Sequence, residues 1–182
     1  GNPARQIQLA LGIPAEAGAV TVEQQCASGM RALEIGTQQI KLGKTDISLI
    51  CGIESMSNVP YYDMRTRTGS RLGSYQMEDG LLYDALNDAF DGMHMAHTAE
   101  RVAERYHVTR EECDTLAALS HGRALAAMAA GKFKEEIVPV EVKTRKGTVV
   151  VDTDEHPRAT TVETLSKMKA AFKEGGVVTA GN

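Results

Sequence analysis

The residue with the clearest chemical potential in this sequence is Cys26. A run of β-type residues, 20–24, precedes it, and apolar residues recur after it at three- and four-residue steps, which predicts a helix over residues 27–42. Cys26 would then lie at a helix N-terminus, where the helix dipole favours a thiolate and unpaired backbone N–H groups can hold an oxyanion. This is the position of a nucleophile, although by local pattern alone a free cysteine is more often a small buried apolar residue.

The other two cysteines lie in settings that disfavour a thiolate. Cys51 ends an apolar run that predicts a buried strand, and Cys113 lies in the predicted first turn of a helix beside Glu112 and Asp114. Burial and neighbouring negative charge both oppose ionisation of a thiol. We interpret Cys51 and Cys113 as structural residues.

The elements that must position Cys26 alternate between helix and strand. The patterns predict a helix over residues 3–11, a strand at 20–24, the helix at 27–42 and a strand at 47–51 whose unbroken apolar character fits burial on both faces. Alternation of this kind predicts a layered α/β sheet, with the functional edge at the strand ends near Cys26.

The pattern changes after Pro60. Residues 61–76 contain Arg65, Arg67 and Arg71 with little periodicity, and they predict a long loop that is either functional or simply solvated. Helical patterns follow at residues 80–90 and 98–106, and a capping box at residues 109–112 opens a further helix that continues toward residue 131. Residues 137–143 and 148–152 flank a four-residue connection and predict a β-hairpin.

Composition excludes several classes of function. The 182 residues are 42% hydrophobic, and 20 Lys and Arg stand against 24 Asp and Glu, for a net charge of -4. This balance gives no general attraction to nucleic acid or to an anionic membrane. The three cysteines have no paired or metal-ligand spacing, so neither disulfides nor a metal site is predicted and a reducing, cytoplasmic location is expected.

Motifs along nearly the whole chain resemble those of the thiolase family, in the family's order. The nucleophile segment is Cys-Ala-Ser-Gly-Met, and a second signature begins at Cys51 as Cys-Gly-Ile-Glu-Ser-Met-Ser. Further matches are Met-Ala-His-Thr-Ala-Glu at 95–100, Phe-Lys-Glu-Glu-Ile-Val-Pro at 133–139, Asp-Glu-His-Pro-Arg at 154–158 and Val-Thr-Ala-Gly-Asn at 178–182. Thiolases interconvert two acyl-CoA molecules with a 3-ketoacyl-CoA and CoA through an acyl-cysteine, and the resemblance implies that Cys26 is the residue acylated.

The resemblance also implies an architecture: an α/β fold with a partial thiolase-like layered sheet and a mainly helical inserted loop domain. Residues 1–62 would belong to the N-terminal domain, 63–176 to the loop domain that binds CoA and serves oligomerisation, and 177–182 to the return into the N-terminal domain. Family members are roughly twice this long. Three family motifs, which supply a water-positioning Asn, the histidine base and a second catalytic cysteine, do not occur in the sequence. The chain is therefore expected to be an internal piece.

By the same resemblance, seven residues would bind the CoA substrate. His94 and Met95 match the pair at the acyl and pantetheine end, and Arg158 matches an arginine at the nucleotide end, although a surface arginine is the alternative. The remaining matches are apolar, and for Leu86 and Phe172 a core position is the alternative: Leu86, Ala171, Phe172 and Ala180.

The sequence departs from the family pattern at three points. Ala96 and His97 stand where many relatives have Gly and a small residue, and the segment from Arg158 is one residue shorter. Glu23 replaces a common asparagine three residues before the nucleophile. A carboxylate pointing at Cys26 would oppose the thiolate, so Glu23 is expected to face another hydrogen-bonding group.

The leading functional hypothesis is part of an acetoacetyl-CoA-type thiolase in fatty acid metabolism, acting by ping-pong acyl transfer as a dimer or tetramer. It would need no cofactor, since CoA thioesters are the substrates. A ketoacyl synthase shares the fold and cysteine, but the segments at 95–100 and 154–158 favour a thiolase. A non-catalytic module that binds acyl-CoA is the alternative from another class.

Overall fold

The computed structural model describes all 182 residues and divides into two compact units, Gly1–Ala85 and Leu86–Asn182. Each unit is described by itself. The three-part division expected from the sequence stays a prediction.

The first unit contains the helices predicted around the nucleophile. Helix α1 spans Pro3–Ala10, with Asn2 as an N-cap that accepts a hydrogen bond from the backbone N–H of Arg5 at 3.2 Å. A short 3₁₀ turn, Gln25–Ala27, leads into helix α2, Ser28–Lys41. The predictions of helices at 3–11 and 27–42 are confirmed, and each end agrees to within one residue. Capping and apolar spacing are local properties of the chain, so they can be read from the sequence.

The predicted strands at 20–24 and 47–51 are wrong for this chain, since neither stretch forms a β-ladder. A strand needs hydrogen-bonded neighbours, and no other segment of these 182 residues pairs with either stretch. The second stretch instead packs along α2, where a Cβ on Gly36 would lie only 2.7 Å from Cδ1 of Ile50. Cys51 is exposed rather than buried. The expectation of an incomplete sheet is confirmed.

The loop predicted after Pro60 is closed by two short antiparallel strands, β1 (Tyr61–Tyr62) and β2 (Glu78–Asp79). Within it, Asp63 accepts hydrogen bonds from the hydroxyl of Thr66, from the backbone N–H groups of Arg65 and Thr66, and from the hydroxyl of Tyr75. The first three of these bonds are the main reason that the pKa of the Asp63 carboxyl lies well below its usual range. One carboxylate therefore organises the loop.

The helix predicted at 80–90 is mostly absent: its central part is a single π-helical turn, Leu82–Leu86. Helix α3 spans Met95–Tyr106 and starts three residues earlier than predicted, because His94 caps it. Helix α4 spans Arg110–Ala129, and its predicted capping box is confirmed, with Thr109 and Glu112 exchanging side-chain and backbone hydrogen bonds.

The predicted hairpin is confirmed, with strand β3 at Val140–Thr144 and strand β4 at Gly147–Val151. Thr144 pairs with Gly147, so the connection is two residues long rather than four. A short helix α5, Val162–Leu165, follows and packs on α4. None of the helices combines the length and apolar character needed to span a membrane.

The buried side chains are few. The apolar ones are Ala96, Ala103 and Leu165, all in the second unit, which also buries Glu100, Asp114 and Thr179; the first unit buries Gln8. The chain exposes 15079 Å² of surface, whereas a folded monomer of this size exposes about 8,600 Å². The helices thus keep much of their apolar surface uncovered within this chain.

Candidate active site

Cys26 is the middle residue of the 3₁₀ turn that precedes α2, and its side chain is exposed. The residue before it, Gln25, has a φ of 51°, in the left-handed region that side chains other than glycine seldom adopt. This turn ends the extended run and starts the helix within two residues. Strained backbone of this kind is common at functional positions.

The turn is held by its own side chains. The hydroxyl of Ser28 accepts a hydrogen bond from the backbone N–H of Gln24 at 2.8 Å and donates to the carbonyl of Gln25 at 2.6 Å. The carboxylate of Glu23 accepts from the backbone N–H of Gln25, so it faces another hydrogen-bonding group as the sequence predicted.

The start of α2 leaves donors near the thiol. The helix has no acidic residue in its first turn and no side-chain hydrogen bond at its N-cap, Ala27. The first N–H groups of a helix have no intrahelical partner, and here no side chain caps them. Uncapped N–H groups at a helix start can stabilise a negatively charged oxygen.

Cys113 lies in a different electrostatic setting. It is half-buried at the start of α4, and burial, followed by the neighbouring carboxylates of Asp114 and Glu112, raises the pKa of its thiol. This supports its interpretation as a structural residue. Cys51 is exposed, so the sequence-based argument that burial opposes ionisation of its thiol does not hold.

All seven predicted CoA-binding residues lie in the second unit, and two of them are in direct contact. The rings of His94 and Phe172 are stacked, with centroids 4.6 Å apart and an angle of 21° between their planes. His97 presents its edge to the same phenylalanine at 6.2 Å. The three rings together form an aromatic surface at the N-terminus of α3.

The proton on His94 can be assigned from its hydrogen bond. Nδ1 of His94 accepts from the backbone N–H of Ala96 at 3.1 Å, which makes His94 the N-cap of α3. In a neutral imidazole the other nitrogen, Nε2, then carries the proton and is a donor. His94 therefore has a free donor beside the stacked ring of Phe172.

The other predicted contacts surround this pair. Met95 is the first residue of α3 and is 47% exposed. Leu86 is the half-buried last residue of the π-helical turn, and the next residue, Asn87, forms an isolated β-bridge with His94. Ala171 donates its backbone N–H to the carbonyl of Val178 at 2.9 Å, two residues before the exposed Ala180.

Arg158, also in the second unit, is positioned by a different element. Its backbone N–H donates to Nδ1 of His121 on α4 at 3.3 Å, and the ring of His121 stacks near that of His156 at 6.2 Å. The guanidinium is exposed, and its Nε donates a long hydrogen bond of 3.5 Å to the carbonyl of His156. Arg158 does not contact the His94 and Phe172 pair, so any shared ligand must be extended.

Sequence reasoning missed three residues that the structure places at these positions. His97 follows His94 by three residues, which on a helix is one face, so helical spacing could have found it. Glu100 continues the same face, but its burial had no local signal. His121 could be connected with Arg158 only through tertiary structure, because 37 residues separate them.

Comparison with known proteins gives consistent matches over the whole chain. The family model described as "Thiolase, N-terminal domain" matches residues 1–182. An acetyl-CoA acetyltransferase of Pseudomonas aeruginosa is 46% identical over all of this chain and 47% of its own length. Among solved structures, acetyl-CoA acetyltransferase from Syntrophomonas wolfei is 50% identical with a TM-score of 0.93, over 99% of this chain and 45% of that protein. Human mitochondrial 3-ketoacyl-CoA thiolase is 42% identical with a TM-score of 0.91, over 98% of this chain and 46% of that protein.

The chain therefore belongs to the thiolase family, and its fold is the thiolase-like α/β fold in partial form. Within the family it corresponds to the N-terminal domain. The chain spans about half the length of the curated relatives it matches.

Proposed function

We propose that this chain is the nucleophile and CoA-binding part of an acetyl-CoA C-acetyltransferase, which condenses two acetyl-CoA molecules to acetoacetyl-CoA and CoA or catalyses the reverse thiolysis. The observation that carries the proposal is the exposed Cys26 in a strained turn at the uncapped N-terminus of α2. The names of the relatives at 43–46% identity support the choice of acyl group.

The proposed reaction follows from that geometry. The thiolate of Cys26 attacks the thioester carbonyl, the carbonyl oxygen becomes an oxyanion held by the N–H groups at the start of α2, and CoA leaves as its thiolate. The acyl group is then on sulfur and passes to the second substrate. The base that takes the proton from Cys26 is not among these residues by the family's motifs, and it belongs to the remainder of a longer protein in this proposal.

The CoA thioester would lie along the second unit. The N–H at Nε2 of His94 can donate to a carbonyl, and the faces of Phe172 and Met95 offer apolar surface to the pantetheine chain. Leu86, Ala171 and Ala180 surround this surface, and the Arg158 guanidinium suits a phosphate or the adenine ring. We propose CoA thioesters as substrates, with no separate cofactor and no metal.

The wider setting is part of the same proposal. We infer a homo-oligomer, dimer or tetramer, acting in the cytoplasm in fatty acid metabolism, without nucleic acid or membrane partners. The Asp63-organised loop between β1 and β2 is the segment that we expect to serve assembly.

A non-catalytic acyl-CoA-binding module is the second candidate. It is favoured by one observation, namely that the base and second cysteine of the family are not found among the 182 residues. Both candidates bind CoA, so the two differ only in whether Cys26 becomes acylated.

Calorimetric titration of the chain with CoA tests the shared part of the proposal. Arg158→Ala should weaken CoA binding by roughly ten- to a hundredfold, the effect of losing a charge-assisted phosphate contact. Arg145→Ala, in the exposed turn of the hairpin, is the matched control and should leave the affinity unchanged. If Arg158 contacts the 3′-phosphate, Arg158→Ala should weaken the binding of dephospho-CoA less than the binding of CoA.

Intact-mass and peptide analysis after incubation with acetyl-CoA separates enzyme from module. The full-length protein containing this chain should carry an acetyl group on Cys26, and Cys26→Ser should not form a stable thioester. The 182-residue chain alone should not turn over acetoacetyl-CoA. Thiolysis by the chain alone that disappears in Cys26→Ser would contradict the proposed division of roles.

A further inference from the structure

A buried carboxylate in the middle of α3 is not used by the proposed chemistry. The side chain of Glu100 belongs to a residue only 3% exposed, and its two oxygens accept hydrogen bonds from the backbone N–H groups of Val177 and Val178 at 2.9 and 2.8 Å. Burying a carboxylate is costly unless such donors replace water. Glu100 and the chain at residues 177–178 therefore depend on each other.

The segment that Glu100 holds is itself paired with the predicted CoA-binding residues. Val178 accepts the backbone hydrogen bond of Ala171, and Ala170 and Thr179 form an antiparallel bridge. Phe172 is the next residue, and its ring stacks on His94. The position of segment 177–179 thus sets the position of Phe172.

Helix α3 consequently organises both sides of the aromatic surface. His94 caps its N-terminus, and Glu100, on the same helix, anchors the strand pair that carries Phe172. Because a helix is rigid, His94 and the strand pair that carries Phe172 are held at a fixed separation.

A second buried carboxylate anchors the end of the same segment. Asp114 on α4 is fully buried and accepts from Nδ2 of Asn182 at 2.8 Å and from Nε of Arg110 at 2.9 Å. Asn182 also donates to the carbonyl of Val177 and accepts from the N–H of Thr179. Residues 177–182 are therefore fixed at two points, one on each long helix.

Close approach at the first anchor requires glycine. A Cβ placed on Gly176 would lie 2.3 Å from Oε1 of Glu100, inside the contact distance of any real side chain. Even alanine at position 176 would displace the carboxylate without changing any charge.

We propose that Glu100 is a positioning residue for CoA binding: its carboxylate fixes segment 177–182 against α3 and thereby places Phe172, Ala171 and Ala180 relative to His94. This inference rests on the proposed function, since it concerns the same CoA site. Glu100 itself does not touch the substrate.

The variant Glu100→Gln tests the role with nearly unchanged shape. Its amide NH₂ would face one of the two backbone N–H groups, so one hydrogen bond becomes a donor–donor contact. We expect faster amide hydrogen exchange at Val177 and Val178 and about tenfold weaker CoA binding by calorimetry. Glu104→Gln is the matched control, because Glu104 lies one turn along α3 but pairs with Lys173 in an exposed position, and it should change neither quantity.

A ligand that represents half of CoA distinguishes positioning from general damage. Adenosine 3′,5′-bisphosphate carries the nucleotide end without pantetheine, and Glu100→Gln should leave its affinity within about twofold. An equal loss for CoA and for the bisphosphate would overturn the positioning role, because it would reflect loss of the folded unit.

Gly176→Ala gives an independent route to the same displacement. If both changes act through one carboxylate, the double variant Glu100→Gln with Gly176→Ala should bind CoA about as weakly as the weaker of the single variants. Strictly additive losses would overturn the proposal.

Failure of this inference and failure of the proposed function are distinguishable. Absence of CoA binding in the unchanged chain contradicts the proposed function, and the exchange rates at Val177 and Val178 still decide whether Glu100 holds the segment. Normal CoA affinity in Glu100→Gln, with binding intact in the unchanged chain, removes the positioning role alone.

Discussion

The two units of the molecule keep their chains in place by different means. The second unit ties its C-terminal segment to α3 and α4 through buried polar groups, namely Glu100, Asp114 and Asn182. The first unit carries Cys26, the proposed nucleophile, but it buries one polar side chain, Gln8, and leaves Met30 and Leu33 of α2 78% and 57% exposed.

The two roles proposed for the chain, nucleophile at Cys26 and CoA binding, therefore have different structural requirements. The surface that we propose binds CoA is assembled from contacts that the second unit makes within itself. Residues 20–24 and 47–51 of the first unit, in contrast, have no strand partners in this chain. Helix α2 is held by little beyond its own hydrogen bonds and the packing of Ile50 on Gly36. Four predictions test this contrast between the units.

The largest effect should come from Asp114→Ala in the second unit. It leaves the partly buried guanidinium of Arg110 without its carboxylate and releases Asn182, and breaking such a buried pair typically costs about 3–5 kcal/mol. Urea unfolding followed by circular dichroism measures the loss.

The control for that change is Glu104→Ala, which removes an exposed ion pair with Lys173 in the same unit. A pair of this kind contributes about 0–1 kcal/mol, so unfolding should shift little. Equal destabilisation by the two substitutions would show that burial of Asp114 does not stabilise the second unit.

The next largest difference between the units should be in their amide hydrogen-exchange rates. Residues 20–24 and 47–51 lack ladder hydrogen bonds, whereas the interior of α4 is fully hydrogen-bonded and anchored by Asp114. We expect α4 amides to exchange at least about a hundredfold more slowly, relative to intrinsic rates, than those of the two stretches. Comparable protection at 47–51 would show that packing on Gly36 suffices to hold that stretch.

Thiol reactivity gives a smaller contrast between the units. Cys26 is exposed at a helix N-terminus, while burial raises the pKa of Cys113 and so lowers its thiolate fraction at neutral pH. Limiting iodoacetamide at pH 7.5 should label Cys26 at least about tenfold faster than Cys113. Peptide mapping in the presence and absence of Cys26→Ala identifies the site, and first labelling at Cys51 or Cys113 would argue against Cys26 as the nucleophile.

The smallest effect concerns the capping box of α4. Thr109→Ala removes the hydroxyl that accepts from the N–H of Glu112, and loss of such an N-cap costs about 1 kcal/mol at pH 7. Thr153→Ala is the control, since that hydroxyl bonds only to its neighbour Asp152 and its loss should be nearly neutral.

The destabilisation caused by Thr109→Ala should depend on pH in a definite direction. Hydrogen bonds from the N–H and hydroxyl of Thr109 lower the pKa of Glu112, so its contribution to stability is present above the unfolded pKa of about 4.3 and is lost as pH falls through the lower folded value. The difference between Thr109→Ala and the unchanged chain should therefore narrow below about pH 4. A constant difference down to pH 3 would assign the effect to the hydroxyl alone.

Features that depend on neighbouring residues could be predicted from the sequence. Asn2 before Pro3 marked the start of α1, the Thr109 and Glu112 pair marked the start of α4, and Cys26 was placed at the beginning of a helix by the apolar spacing that follows it. These features depend on hydrogen bonds and side-chain periodicity within a few residues, so local sequence is sufficient to predict them.

Features that require distant partners could not be predicted from the sequence and became visible in the folded chain. Residues 47–51 have the composition of a strand, but a strand forms only beside a partner strand. No other segment of the chain pairs with these residues. No local pattern marks Glu100 as buried, and segment 177–178, more than seventy residues away, supplies the two N–H groups that allow its carboxylate to be buried.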